Sequence, residues 1–142
     1  MMKMAEYKKP LPRPENIELT KPFWAATKRH ELVIQRCKKC ANWIHYPREQ
    51  CPNCFSQDLE YQKVSGRGFV HSYTTVYQPG HPAFNDDAPY VFASVQLDCG
   101  VRIPSNIVGV THEQVHIDML VEAVFEDVTP EWTLVKFKPV SA

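Results

Sequence analysis

The sequence has 142 residues, 16 basic side chains balanced by 16 acidic ones, and a hydrophobic fraction of 44%, which suits one packed domain or two small ones. No apolar run approaches the roughly 18 residues that span a bilayer, and Met1–Glu6 lacks a signal-peptide core, so the expectation is a cytoplasmic protein rather than a membrane or exported one. Zero net charge disfavours a dedicated nucleic-acid binder, whose affinity needs a basic surface that displaces counterions.

The balance hides an asymmetry. Residues 1–63 carry 12 Lys/Arg against 7 Asp/Glu, and residues 64–142 carry 4 against 9. This division predicts two units, the first able to meet an anion or an acidic partner. The expected boundaries are an extended arm over 1–19, a helix and metal ribbon over 20–63, and a barrel over 64–142.

In the arm, Pro10, Pro12 and Pro14 recur in a charged stretch and favour extended backbone. Thr20 is the expected cap of a helix with Pro22 in its first turn, running through Phe23, Trp24, Ala25, Ala26 and Thr27 to about Arg29. Strands are expected at Leu32–Arg36 and Leu59–Val64.

Between those strands lie Cys37-Lys38-Lys39-Cys40 and Cys51-Pro52-Asn53-Cys54, two C-x2-C pairs separated by ten residues. Each pair makes a tight turn, and the interval allows a hairpin that opposes the turns. Four thiolates then surround one ion at about 2.3 Å, the arrangement of a closed structural zinc site. Iron suits four thiolates too, although zinc is the expected metal. A disulfide framework is disfavoured by the reducing cytosol, and a redox C-x-x-C occurs once rather than as a doublet. His45 is a possible substitute ligand, with the hairpin surface its expected place. Four thiolates leave no open position for substrate, so the metal is structural and no catalytic residue is assigned.

The second unit reads as five strands. Phe69–Tyr77 alternates behind Gly66 and Gly68, glycines that allow a bend or bulge. Tyr90–Leu97 follows, then Asp98-Cys99-Gly100 turns into Val101–Pro104. Val110–Val115 has room for one helical turn before Val121–Phe125 and Trp132–Phe137. Five strands with a helical insert between the third and fourth follow the order of an OB-fold barrel. The fold class is therefore mainly β, an N-terminal helix and zinc ribbon followed by a five-stranded barrel in OB-fold order, a pattern that by itself also allows another small barrel. The long link Pro79–Pro89 holds His81 and Phe84, which serve either a functional loop or a simple apolar anchor.

Taken in order, several pieces resemble the DUF35 family of OB-fold proteins with a rubredoxin-like zinc ribbon, over roughly residues 20–138. They are Phe23-Trp24, Leu32–Cys37 with Cys40, Cys51–Cys54, Val64–Gly68, His81–Phe84, Pro89–Val91, Asn106–Gly109 and Val124–Asp127. The resemblance implies a non-catalytic, acyl-CoA-binding scaffold that associates with a thiolase-like (lipid-transfer-type) enzyme or a hot-dog hydratase. An oligomer is compatible with this. Ala41 and Phe55 stand where Gly often follows a knuckle cysteine in the family, His30 replaces a usual Gly after the helix, and Cys99 occupies a turn that is usually acidic.

Joined to the charge pattern, the resemblance makes Arg36, Lys38 and Arg48 candidate contacts for CoA phosphates or an acidic partner. Phe23 and Trp24 are candidates to cover an acyl chain, to anchor a partner or to dock the helix on its own barrel, and His81 and Phe84 complete the contact set. The competing expectation is an oligonucleotide-binding OB module that stacks bases on Tyr73, Tyr77, Tyr90 and Phe92, which the acidic barrel half opposes.

Overall fold

The computed structural model describes residues 7–140. Helix α1 spans Ile17–Lys28. Strand β1 (Val33–Cys37) pairs antiparallel with β2 (Trp43–Ile44) on one side and β3 (Leu59–Lys63) on the other. Strands β4 (Arg67–Val76), β5 (Tyr90–Leu97), β6 (Arg102–Ile107), β7 (Leu120–Asp127) and β8 (Thr133–Pro139) close a barrel in the order β4-β5-β6-β8-β7. A single 3-10 turn at His112–Gln114 lies between β6 and β7, where one helical turn was expected. The chain is thus mainly β, with an N-terminal helix, a ribbon and an OB-type barrel.

The helix departs from expectation at its start. Asn16 is the cap, its side chain accepting the Leu19 N–H at 3.2 Å, rather than Thr20. Asn16 also donates to Glu49 at 3.2 Å, which ties the cap to the ribbon. Pro22 therefore lies inside the helix instead of in its first turn. Asn is among the strongest caps, and here it has a tertiary partner that Thr20 lacks.

One core joins the two halves. Leu32 and Ile34 of the ribbon are buried together with Val70, Val95, Val121 and Phe137 of the barrel. A smaller cluster of Cys37, Ile44 and Cys51 fills the ribbon. Strand β5 shows the alternation most plainly, since Val91, Ala93, Val95 and Leu97 point inward while Phe92 is 49% exposed.

Of the bend or bulge expected at Gly66 and Gly68, the bend is present at Gly66 and the bulge lies beyond both. The β4–β5 register shifts between Val70 and Ser72, beyond the two glycines. Gly66 serves a left-handed turn at φ 77°, and Gly68 serves close approach, since a Cβ there would overlap the Gln96 carbonyl of β5.

Of the arm expected over 1–19, residues 17–19 belong to α1, because Asn16 caps the helix. Residues 7–16 carry no helix or strand, bend at Lys9 and Glu15, and pair Lys9 with Asp87 at 2.6 Å. Residues 1–6 of the arm lie outside the described residues. Among the described residues, no helix is long and apolar enough to cross a membrane.

Candidate functional site

The two knuckles oppose each other as the spacing demands. The Sγ atoms of Cys37, Cys40, Cys51 and Cys54 all lie within 4.8 Å of one another. Cys37 Sγ is 3.6 Å from Cys54 Sγ, and Cys40 Sγ is 3.6 Å from Cys51 Sγ. A tetrahedron with bonds of about 2.3 Å has edges of about 3.8 Å, so the four sulfurs fit one metal ion. They are free thiols rather than disulfides. Donors converge on them: the Cys40 and Asn53 backbone N–H groups point at Cys37 and Cys51, and the Asn53 side chain donates to Cys40 at 3.5 Å. Hydrogen bonds from the Asn53 side chain and the Asn42 backbone hold the Cys40 thiol down at about 6. Cys54, despite the Ser56 backbone hydrogen bond, is pushed up to about 11 by burial and the other three sulfurs, so the four thiols do not all ionise together without a cation. This four-cysteine cluster has the donor set and the geometry to hold one metal ion.

The knuckles reach that geometry without glycine. Ala41 and Phe55 both adopt φ 64°, and His30 adopts φ 59° after the helix. These are the three positions at which the family resemblance leads one to expect Gly. The left-handed backbone is kept and the small residue is not. Cys99 stands apart from the cluster, half-buried in the β5–β6 turn and packed against the barrel core.

His45 is neither a ligand nor a hairpin-surface residue. Its ring lies 6.5 Å from Phe23 of helix α1 and 4.5 Å from Tyr46, and it is not among the side chains that converge with the four sulfurs. Burial pushes its pKa down to about 4, so the imidazole is neutral at physiological pH. The peptide around Arg48, farther along the same segment, is clamped by the buried Gln35 side chain, which accepts the Arg48 N–H and donates to its carbonyl, both at 2.8 Å.

Helix α1, the His45–Pro47 turn and the outer face of β5, β6 and β8 wall a half-open cavity of about 450 Å³. Phe23 and Trp24 form its helical wall, while Phe92 and Leu134 come from the barrel. The lining is almost wholly apolar. Trp24 also meets Trp132 edge-on at 5.1 Å, so one face of the helix both docks on the barrel and walls the cavity. Trp24 Nε1 and His45 Nε2 are buried without a hydrogen-bond partner among the described residues. A second cavity of about 380 Å³ adjoins the first, sharing Phe92, Asn106, Leu134 and Lys136, and is lined by Tyr7, Lys9 and Phe84 as well.

The seven candidate contacts do not form one cluster. Phe23 and Trp24 line the first cavity and Phe84 the second. His81 caps the 3-10 turn Pro82–Asp87, its Nδ1 accepting the Ala83 N–H at 3.0 Å. Arg36 lies 4.4 Å over the Trp43 ring and donates to the Ala41 carbonyl at 3.0 Å. Lys38 faces Asp58 at 3.9 Å and Glu60 at 4.0 Å, and Arg48 is exposed. His45, Phe92 and Leu134 were not singled out as cavity residues. The legible signal was Phe92, an aromatic on the outward register of a strand, which needs a cover.

Two family models match in tandem: the ChsH2 rubredoxin-like zinc ribbon domain over residues 24–60, and the ChsH2 C-terminal OB-fold domain over residues 61–126. A probable enoyl-CoA hydratase alpha subunit from Thermomonospora curvata is 40% identical over 129 residues, covering 90% of this chain and 40% of the relative. A DUF35 domain-containing scaffold protein from Methanocaldococcus jannaschii is 41% identical, covering 68% of this chain and 69% of the relative. The benzoylsuccinyl-CoA thiolase subunit BbsA from Geobacter metallireducens is 36% identical over 52% of this chain and 48% of that subunit. The chain thus spans only about two-fifths of the hydratase relative's length. Among solved structures, a chain of an Ltp2-ChsH2(DUF35) aldolase superposes with a TM-score of 0.80 and 38% identity, over 89% of this chain and 98% of that one.

Proposed function

This chain belongs to the DUF35 family, and we propose that it acts as a non-catalytic accessory subunit of an acyl-CoA-processing enzyme of the thiolase-like or hydratase class. The observation that carries the reading is the match along 98% of the DUF35 chain of an aldolase complex. Hydratase and thiolase subunits among the relatives point to the same acyl-CoA chemistry.

The site chemistry supports an accessory role. Four thiolates complete a tetrahedron, so the metal, which we assign as zinc, has no open position for a substrate oxygen. The apolar cavity holds a neutral, buried imidazole, and the thiol of Cys99 lies elsewhere, in the β5–β6 turn. The ribbon's work is mechanical: it fixes helix α1 and the His45 turn against the barrel and so presents a rigid surface to a partner.

The test is co-expression with the thiolase-like or hydratase gene nearest its own, followed by size-exclusion chromatography and turnover assays. A stable complex, with the partner's kcat/KM changed by the subunit and no turnover by the chain alone, is the expected outcome. Turnover by the isolated chain, or a monomer without effect on any such enzyme, defeats the reading.

A further inference from the structure

Strand β4 outruns one of its two neighbours. Strand β7 pairs with it only over Arg67–Phe69, and Val70 ends that side by donating to the Met119 carbonyl at 3.0 Å and accepting the Asp118 N–H at 2.9 Å. A turn at His116–Met119 then takes the chain away from β4. Beyond Val70, β4 pairs with β5 alone as far as Val76, and among the described residues no main-chain hydrogen bond reaches its other side. His71, Ser72, Tyr73 and Thr74 are all exposed.

The ladder fixes which groups face the open edge. Asp98, just past β5, donates to Arg67 of β4, while Leu97 donates to Val101 toward β6, so successive residues of β5 serve alternate neighbours. Ala93 and Val91 share the parity of Leu97. Tyr73 and Thr75, which lie opposite them, therefore turn their N–H and C=O groups to the open edge. Natural sheets blunt such an edge with Lys, Pro or an inward charge, and the run His71–Tyr77 has none of these. Strand β5 beside it carries no charge either, on a barrel half with 9 Asp/Glu against 4 Lys/Arg.

We propose that this edge pairs with the same edge of a second copy of the chain, antiparallel about a two-fold axis at Thr74. Tyr73 then faces Thr75 of the other copy, the two exchange both main-chain hydrogen bonds, and the axis repeats the pair. An aromatic side chain opposite a β-branched one is a favourable cross-strand couple. Charge selects a second copy as the occupant. Elsewhere the acidic barrel repels its own copy, whereas along this strip two copies meet without like charges, and an oligonucleotide or a charged peptide finds no counter-charge. The inference is independent of the accessory-subunit reading.

Sedimentation velocity of the metal-loaded full chain, from low to high micromolar, tests it. A dimer of twice the 16.4 kDa chain mass is expected, with the Tyr73 and Thr75 amides exchanging more slowly as concentration rises. Thr74→Lys sets two like charges opposite each other at the axis and should weaken the dimer about five-fold or more, as should Thr74→Glu. An equimolar mixture of the two variants should regain the dimer, which a merely structural defect would not do. Metal content and far-UV dichroism should match the parent, because Thr74 is exposed. A monomer at every concentration, a dimer indifferent to Thr74→Lys, or a mixture that stays monomeric overturns the pairing. If both variants misfold, the concentration dependence of the two edge amides in the parent decides. Protection of those amides only when a thiolase-like or hydratase enzyme is added makes that enzyme the occupant, and self-pairing falls while the accessory reading stands.

Discussion

His30 Nε2 lies 3.0 Å from Asp127 Oδ2, joining the end of helix α1 to the end of β7 across 97 positions of sequence. The His30 ring also stacks on Phe125 at 5.4 Å, and Thr133 donates to Asp127 at 2.6 Å. The residue that breaks the helix with a left-handed turn is therefore the one that fastens it to the barrel. A glycine there would make the turn more easily and lose the fastening.

The Thr133 hydroxyl and then His30 hold the Asp127 carboxyl below its ordinary range. A lowered carboxyl pKa contributes stability above the ordinary value near 4, and that contribution is lost as pH falls through the lowered one. Asp127→Asn should therefore destabilise the chain at pH 7 and converge with the parent in strong acid. Urea unfolding at both pH values checks it.

Metal removal should unfold the ribbon. Structural zinc is worth about 10–16 kcal/mol to small ribbons, more than most domains' net stability. One metal per chain is expected by elemental analysis. Cys37→Ser and Cys51→Ser, at the two buried ligands, should each lose it and melt far lower, and a chelator should do the same to the parent.

The knuckle residues offer a gain. Ala41 and Phe55 stand at φ 64°, where a side chain costs about 1–2 kcal/mol. Ala41→Gly and Phe55→Gly should each stabilise by about 0.5–1 kcal/mol, Phe55 losing little packing because it is 69% exposed. Thermal melts of the metal-loaded protein measure this directly.

Gly68→Ala is the opposite case. The new methyl would press on the Gln96 carbonyl and on Leu97 Cα, which are backbone and cannot rotate away. A loss of about 2–3 kcal/mol is expected, with the β4–β5 amides exchanging faster. Gly80, whose Cβ would meet nothing, is the control and should change little.

His45 should titrate near 4 in the folded chain, against about 6.5 unfolded. Because the folded pKa is the lower, the unfolded chain takes up the proton first. Stability is full well above pH 6.5 and falls by about 3 kcal/mol as pH drops to 4. His45→Phe should remove that slope between pH 6.5 and 4, and the imidazole resonances report the pKa.

The cysteine doublet, the strand alternation and the helical turn before Val115 were legible because each is local. Spacing fixes which thiolates can meet, and period two fixes which side chains face inward. The cap at Asn16 was not legible, since its advantage over Thr20 includes a hydrogen bond to Glu49, 33 residues away. Nor was the place of His45, which depends on the helix that crosses above it. The basic ribbon residues looked like one group in the sequence, yet Arg36 is spent on Trp43 and Ala41 and Lys38 faces two carboxylates. By itself the sequence determined which four thiols can meet, the order of elements and the inward faces, because these follow from chemistry within a few residues. Only the tertiary structure decided that an apolar slot exists and which side chains wall it. A cavity is the space left between elements distant in the chain, and no local pattern encodes it.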